Sequence, residues 1–282
     1  MGQITFAAKV THIPRMYLSQ QPGPLFGCRQ DAIDGLEAIG RRIRASGADT
    51  VLVLDTHWLS NAAYHINGGD EFQGVFTSSE FPTQLYELAY DHVGNPDLAD
   101  RLAAAATARG VATIAHHKRS LGLEYGTLTP MHFMKLGRDV KVVSVSGWCA
   151  YSSIEESRSS GVAYREAIDA SPYKVAVLAS GSFSHRIHDN AVVFDRPYEI
   201  SDEFYRQCDL RALELWQAGR WKEFNAMLPT YAKVCHGEGW MHDTAMLLGM
   251  LGWDDYHGHA EIVTPYFIAS GTGQANVVLP LS

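Results

Sequence analysis

The stretch "VLVLDTHWLS", residues 51 to 60, decides how the rest of the chain is read. Two valines and two leucines run without polar alternation into Asp55, Thr56 and His57. A continuous apolar run of this kind describes a strand covered on both faces, as in parallel sheets flanked by helices. His57 is then expected just past the strand's carboxyl end, where open α/β sheets place their ligands. Taken alone, a histidine packed beneath Trp58 is the commoner outcome, and the tie is broken only by the other segments.

Outward from this run, residues 4–10, 140–146, 174–180 and 261–269 have the same buried-strand composition. Helical patterns lie between them. In "DAIDGLEAIGRRIRASG", Ile33, Leu36, Ile39 and Ile43 share one face and Gly47 is placed to end the helix. Ser152 and Glu155 have the spacing of a capping box. Ser201 is the expected N-cap of a helix carrying Phe204, Cys208, Ala212 and Leu215 along one side. This alternation predicts an α/β fold: a single domain over residues 1–282, with a central, mostly parallel sheet flanked by helices and a helical C-terminal third. Residues 60–95 are the least regular part and are expected to form loops and hairpins at the sheet's edge. Neither internal repeats nor a Pro/Gly/Ser linker divide the chain.

The net charge of −8, with no concentration of lysine and arginine, argues against nucleic acid or an anionic membrane as the main partner. No apolar run approaches the roughly 18 residues of a membrane helix, and the amino terminus lacks a secretory pattern. A cytoplasmic protein acting on a small molecule is the expectation. Cys28, Cys149, Cys208 and Cys235 are scattered, with no C-x-x-C pair, and are expected to be reduced and mostly buried. The 13 histidines are the compositional oddity, because histidine is the commonest metal ligand and the usual proton carrier near neutral pH.

Three strand-like runs end on histidine: "ITFAAKVTHIP" on His12, "TVLVLDTHW" on His57 and "VAVLASGSFSH" on His185. If the strands are parallel neighbours, all three side chains emerge at one sheet edge. The best carboxylate to join them is Glu238 in "CHGEGWMHDTAMLLGMLGW", where glycines leave room and a strongly apolar helix follows. A carboxylate entering such a helix is costly to bury unless something neutralises it; a solvated acid at a helix start is the plainer reading. Two histidines and one carboxylate form the facial set of non-haem Fe(II), which leaves three positions for a chelating substrate and dioxygen. Glu238 with His242 is a competing ligand pair. His116 and His117 in "AHHKRS", and His257 and His259 in "YHGHAE", read as solvated loops. Gly271 and Gly273 in "SGTGQ" do not complete a dinucleotide fingerprint, and no serine-nucleophile elbow exists.

In order and spacing, "KVTHIPRMYLS", "DTHWL", "LEYGTLTPM", "ASGSFSHR", "GEGWMHDTAMLLGMLGW" and "SGTGQ" resemble the class III extradiol ring-cleavage dioxygenases over nearly the whole chain. The resemblance implies that His12, His57 and Glu238 hold Fe(II), with Mn(II) as the alternative ion, and that His185 carries protons beside the metal. It implies O2 as co-substrate, no organic cofactor and a homo-oligomer. The expected reaction opens the ring of a catechol beside the diol, giving a muconate semialdehyde, with 3,4-dihydroxyphenylacetate as the expected substrate. One departure is "LEYG", where Tyr125 stands in place of a histidine; its expected role is a hydrogen bond to substrate or oxygen. Arg15, Arg186 and His188 are candidate partners for an arylacetate carboxylate by their adjacency to His12 and His185. A zinc hydrolase using the same ligands, or a binding protein with no catalysis, are the competing readings.

Overall fold

The computed structural model describes residues 1–189, 191–192 and 195–281. The first half runs β1 (Gln3–Val10), α1 (Arg15–Ser19), α2 (Gln30–Ala45), β2 (Thr50–Ser60), β3 (Tyr64–Asn67), β4 (Glu71–Phe76), β5 (Leu88–Val93), α3 (Pro96–Ala108), β6 (Thr113–His116) and α4 (Tyr125–Phe133). The second runs β7 (Lys141–Cys149), α5 (Ile154–Asp169), β8 (Lys174–Ser180), α6 (Glu203–Gln217), α7 (Trp221–Val234), α8 (His242–Leu251), β9 (Glu261–Ala269) and β10 (Thr272–Val278). Eight strands form one sheet in the order β6-β3-β7-β2-β8-β1-β10-β9, while β4 and β5 pair separately. The four middle strands β7, β2, β8 and β1 are mutually parallel. Their carboxyl ends therefore open on the same edge.

The unbroken apolar runs arise because each face of the sheet has its own core. Val51 and Val53 pack with Ile33, Leu36 and Ile39 of α2 and with Leu128 and Met131 of α4. Leu52 and Leu54 face the other way, into a core shared with Leu98 of α3, Tyr164 of α5 and Leu247 and Leu248 of α8. Each such side chain contributes roughly 1.5–3 kcal/mol relative to its exposed state, so a shift of one residue would gain nothing on either face. α2 ends as expected, with Gly47 at φ +71°.

Several local expectations are corrected. The capping box of α5 uses Ser153 and Glu156, one residue later than Ser152 and Glu155. Consecutive serines and glutamates offer both registers, and the one realised buries Ser157, Ser160, Gly161 and Tyr164. α6 is capped by Asp202, whose carboxylate accepts from the Phe204 N–H; the Ser201 hydroxyl instead donates to the Gly271 carbonyl at 3.0 Å. The buried face follows that start, so Tyr205, Asp209 and Ala212 point inward and Phe204 outward. β3, at 64–67, enters the main sheet between β6 and β7 rather than its edge. His116 closes β6 and bonds the ring of His65 at 2.6 Å, so it is not a loop residue. The four cysteines are free, with Cys149 and Cys235 buried and Cys28 and Cys208 half-buried.

α8 packs on α5 at backbone contact distance. A Cβ on Gly161 would overlap the Met246 carbonyl oxygen, and one on Gly249 would overlap that of Arg158. Alanine at position 161 favours an isolated helix by about 1 kcal/mol, but here backbone must move to admit it. Gly161→Ala is expected to lower stability by about 1–3 kcal/mol, read as a lower midpoint in urea; an unchanged or higher midpoint would show that the two helices separate freely.

Candidate metal centre

Three elements deliver the site. His12 follows β1 by two residues. His57 lies within β2, which continues to Ser60, and not beyond its end as the apolar run suggested. Between Asp55 and Leu59 the pairing with β7 breaks: Asp55 faces Ser146 and Leu59 faces Trp148, so four steps on β2 oppose two on β7. Irregularities of this kind re-aim side chains beside functional sites. Gly147 sits opposite the break, where an added Cβ would be 2.8 Å from the Asp55 backbone.

Glu238 arrives from the other end of the chain on a left-handed turn. Gly239, Trp240 and Met241 have φ of 53°, 57° and 59°, which costs the two non-glycine residues roughly 1–2 kcal/mol each. The turn is tied down by the Glu238 N–H bonding the Phe183 carbonyl at 3.1 Å. The Glu238 carboxylate is buried. One oxygen accepts from the Thr56 hydroxyl at 2.7 Å, the other from the Ser182 N–H.

The donor atoms converge. His12 Nε2 is 3.2 Å and His57 Nε2 3.6 Å from Glu238 Oε1, and the three donors lie within 4.8 Å of one another. Adjacent ligands with bonds of about 2.1 Å sit about 3 Å apart, so the set fits a divalent ion after small adjustments. Two imidazoles and one carboxylate are also the chemistry of an open facial site. The His12 tautomer suits this role. The Ser180 hydroxyl donates to the Gly126 carbonyl at 2.5 Å and so accepts from His12 Nδ1 at 3.0 Å, so that Nε2, which faces Glu238, is the nitrogen left to bind a metal in exchange for its proton.

Electrostatics follow from burial around one negative charge. Burial works against ionising Glu238, yet His185, His12 and His57 hold its pKa well below the usual carboxylate range. Burial likewise opposes charge on His12, but Glu238 outweighs it and the pKa is raised. His57 goes the other way, driven to about 3 by burial and then by His12. His57 is thus a neutral imidazole.

Tyr125 stands over His57, ring centroids 3.8 Å apart, with its hydroxyl 2.5 Å from His57 Nε2 and 3.4 Å from Glu80. Gly126 permits this approach, since a Cβ there would overlap Asp55 Oδ1. Burial, then Glu80 and Glu238, push the phenol's pKa up, so it remains a donor. His185 Nε2 is 4.0 Å from Glu238 Oε2, and its side chain is partly exposed. The backbone beside it is held by Asp209, which accepts from the Ser184 N–H and hydroxyl and from Tyr231 and Tyr266.

His12, His57, Tyr125, His185 and Arg15 line one cavity of about 310 Å³. Arg186 and His188 do not. Arg186 is exposed and lies beside Tyr205, and the His188 ring bonds the Glu199 carbonyl at 3.0 Å. His242 turns away from the cluster, toward Tyr64 and the Cys149 N–H, each at 3.4 Å. His257 and His259 are exposed, as expected. Sequence reasoning missed Glu80, Phe81 and Gln84, which reach the cavity from the connection between β4 and β5, and Thr272 and Gln274 at the start of β10. It also missed Thr56 and Ser180, whose only signal was their place at the polar ends of two apolar runs.

A parallel α/β sheet carrying two imidazoles and a carboxylate at its carboxyl edge defines a metalloenzyme of the facial-triad class. The chain belongs to the family of the catalytic LigB subunit of aromatic ring-opening dioxygenase, which matches residues 6–280, and it is a class III extradiol dioxygenase. It is 48% identical over 267 residues to 3,4-dihydroxyphenylacetate 2,3-dioxygenase of Escherichia coli, covering 95% of this chain and 97% of that one. It is 28% identical to the 2-aminophenol 1,6-dioxygenase beta subunit of a Pseudomonas species, over 98% of this chain and 93% of the relative. An uncharacterized protein of Escherichia coli K12, known as a crystal structure, shares the fold with a TM-score of 0.63 at 15% identity, over 98% of this chain and all of the other.

Isothermal titration of the apoprotein with a divalent ion is expected to give one site per chain. Glu238→Ala should weaken it at least about 100-fold, because a buried anionic ligand is lost. His242 points away from the donors, so His242→Ala should leave affinity close to wild type. Equal losses in both variants would move the site to the Glu238–His242 pair.

Proposed function

We propose that the protein opens the ring of a catechol beside its diol with O2, acting on 3,4-dihydroxyphenylacetate and releasing a muconate semialdehyde. Both oxygen atoms enter the product, so the balance needs no external reductant. The observation that carries this reading is a third histidine, His185, facing the donor triad across the same cavity without joining it. A hydrolase needs a general base there as well, but the ring-opening family and the 48%-identical relative favour oxygen chemistry.

His12, His57 and Glu238 would hold Fe(II), or Mn(II), which when bound supplies Lewis acidity and a redox link between diolate and O2. The chain's own residues do the rest. His185 accepts a proton from one catechol hydroxyl and later returns it to a departing oxygen, as general base and then general acid. The Tyr125 hydroxyl donates to the His57 Nε2 lone pair; with that pair given to a metal, the phenol proton would be available to the substrate or to Glu80. Ser180 and Thr56 fix the orientation of His12 and Glu238. Because the residues of the site come from both ends of the sequence, residues 1–282 work as one catalytic domain. The protein acts in the cytoplasm, a reducing compartment that suits four free cysteines. It works as an assembly of identical chains, for which exposed aromatic side chains such as Tyr151 and Trp240 offer contact surface. No helix among the described residues is long and apolar enough to cross a membrane.

The test is anaerobic loading with Fe(II), then admission of O2 with 3,4-dihydroxyphenylacetate. Stoichiometric uptake with a yellow ring-opened product is expected; iron-loaded protein that consumes no O2 with this or any simple catechol would overturn the reading. His185→Gln should retain the metal and lose about 10²–10⁴-fold in kcat. Loss of metal from that variant would mean that His185 is a ligand.

A further inference from the structure

The ring-opening chemistry leaves one charged side chain of the cavity unused. Arg15, the first residue of α1, lines the cavity with His12 and His185, is 7% exposed, and has an Nη1 with no hydrogen-bond partner. A guanidinium keeps its charge at any physiological pH, and a buried charge without a partner is strongly unfavourable. Arg29 nearby is also buried but differently served. Arg29 Nη2 donates to the carbonyls of Ile268 and Pro197, and its guanidinium lies over the rings of Tyr198 and Phe267. A second cation close by makes the unpaired Nη1 of Arg15 worse. The acid that lines the cavity, Glu80, lies beside Tyr125 and His57, and Glu238 behind the histidines is engaged by His12 and Thr56. The missing anion has to come from the ligand.

We propose that Arg15 receives the side-chain carboxylate of the substrate and is the residue that selects anionic catechols over neutral ones. This rests on the catechol reading above and adds to it the residue that sets substrate class. The other two cations considered from the sequence, Arg186 and His188, stand outside the cavity. A planar guanidinium can bond a carboxylate through two N–H groups, whereas a lysine there would keep the charge and lose the fork.

The test compares wild type, Arg15→Gln and Arg15→Lys on 3,4-dihydroxyphenylacetate and on 4-methylcatechol, which keeps the diol and has no charge. The ratio of kcat/KM for the acid over the neutral catechol should fall about 10- to 100-fold in Arg15→Gln, carried by KM, with Arg15→Lys intermediate. Calorimetry with phenylacetate, which has the carboxylate and no diol, gives a readout independent of turnover: binding to wild type and loss in Arg15→Gln are expected. An unchanged ratio, or phenylacetate binding equally to both proteins, would overturn the assignment. If wild type cleaves neither catechol, the reaction reading fails, and the phenylacetate comparison alone decides for or against Arg15.

Discussion

Glu238 places a negative charge where it is almost wholly buried, and the rest of the structure answers that constraint. An isolated carboxylate in such a place would take up a proton. Here three imidazoles face it, a backbone N–H and a hydroxyl bond it, and it stays ionised. Those partners come from the segment after β1, from β2 and from the segment after β8, while Glu238 itself arrives on the turn before α8. Only a sheet in which β2, β8 and β1 are adjacent and parallel brings their carboxyl ends to one charge.

Behind the cavity a wholly buried ion pair, Lys9 with Asp243 at 2.8 Å, joins β1 to the first turn of α8. Such a pair is weak evidence for stability, because desolvation offsets most of the attraction. Its positions are informative all the same. Lys9 lies three residues before His12 and Asp243 five after Glu238, so the pair locks the register of the two elements whose ends must meet. Asp55 does the same for the opposite wall, accepting from the His57 N–H at 2.9 Å and from Thr127 of α4 at 2.7 Å. The ligand-bearing break in β2 and the helix that carries Tyr125 are thereby held together.

How much of this could be read in the sequence depends on whether a residue's role is local. The long strands announced themselves by apolar runs, and His12, His57 and His185 by following them. Glu238 was legible because an acid beside an apolar helix needs a partner. β3 and β6, at four residues each, are too short to show a pattern. β10 was hidden by Gln274 and Asn276, polar side chains buried through bonds to Thr11. Arg186 and His188 looked equivalent to Arg15 because adjacency in sequence says nothing of direction: successive side chains around His185 point to different sides. Glu80, Phe81 and Gln84 carried no signal, since they reach the cavity only through the path of an irregular connection.

The dispersal of the donors along the chain has a thermodynamic consequence. An unfolded chain cannot present His12, His57 and Glu238 together, so an ion held by all three binds the native state almost exclusively. Its binding free energy then appears as folding free energy, about 2.7 kcal/mol when the free ion is at 100 times its dissociation constant. The coupling also runs in the other direction. Whatever displaces α8 displaces Glu238, four residues before its start, and the glycine contacts of α5 with Met246 and Gly249 hold the body of that helix in place through backbone packing. The spacing of two helices far from any reacting atom is in this sense part of the metal centre.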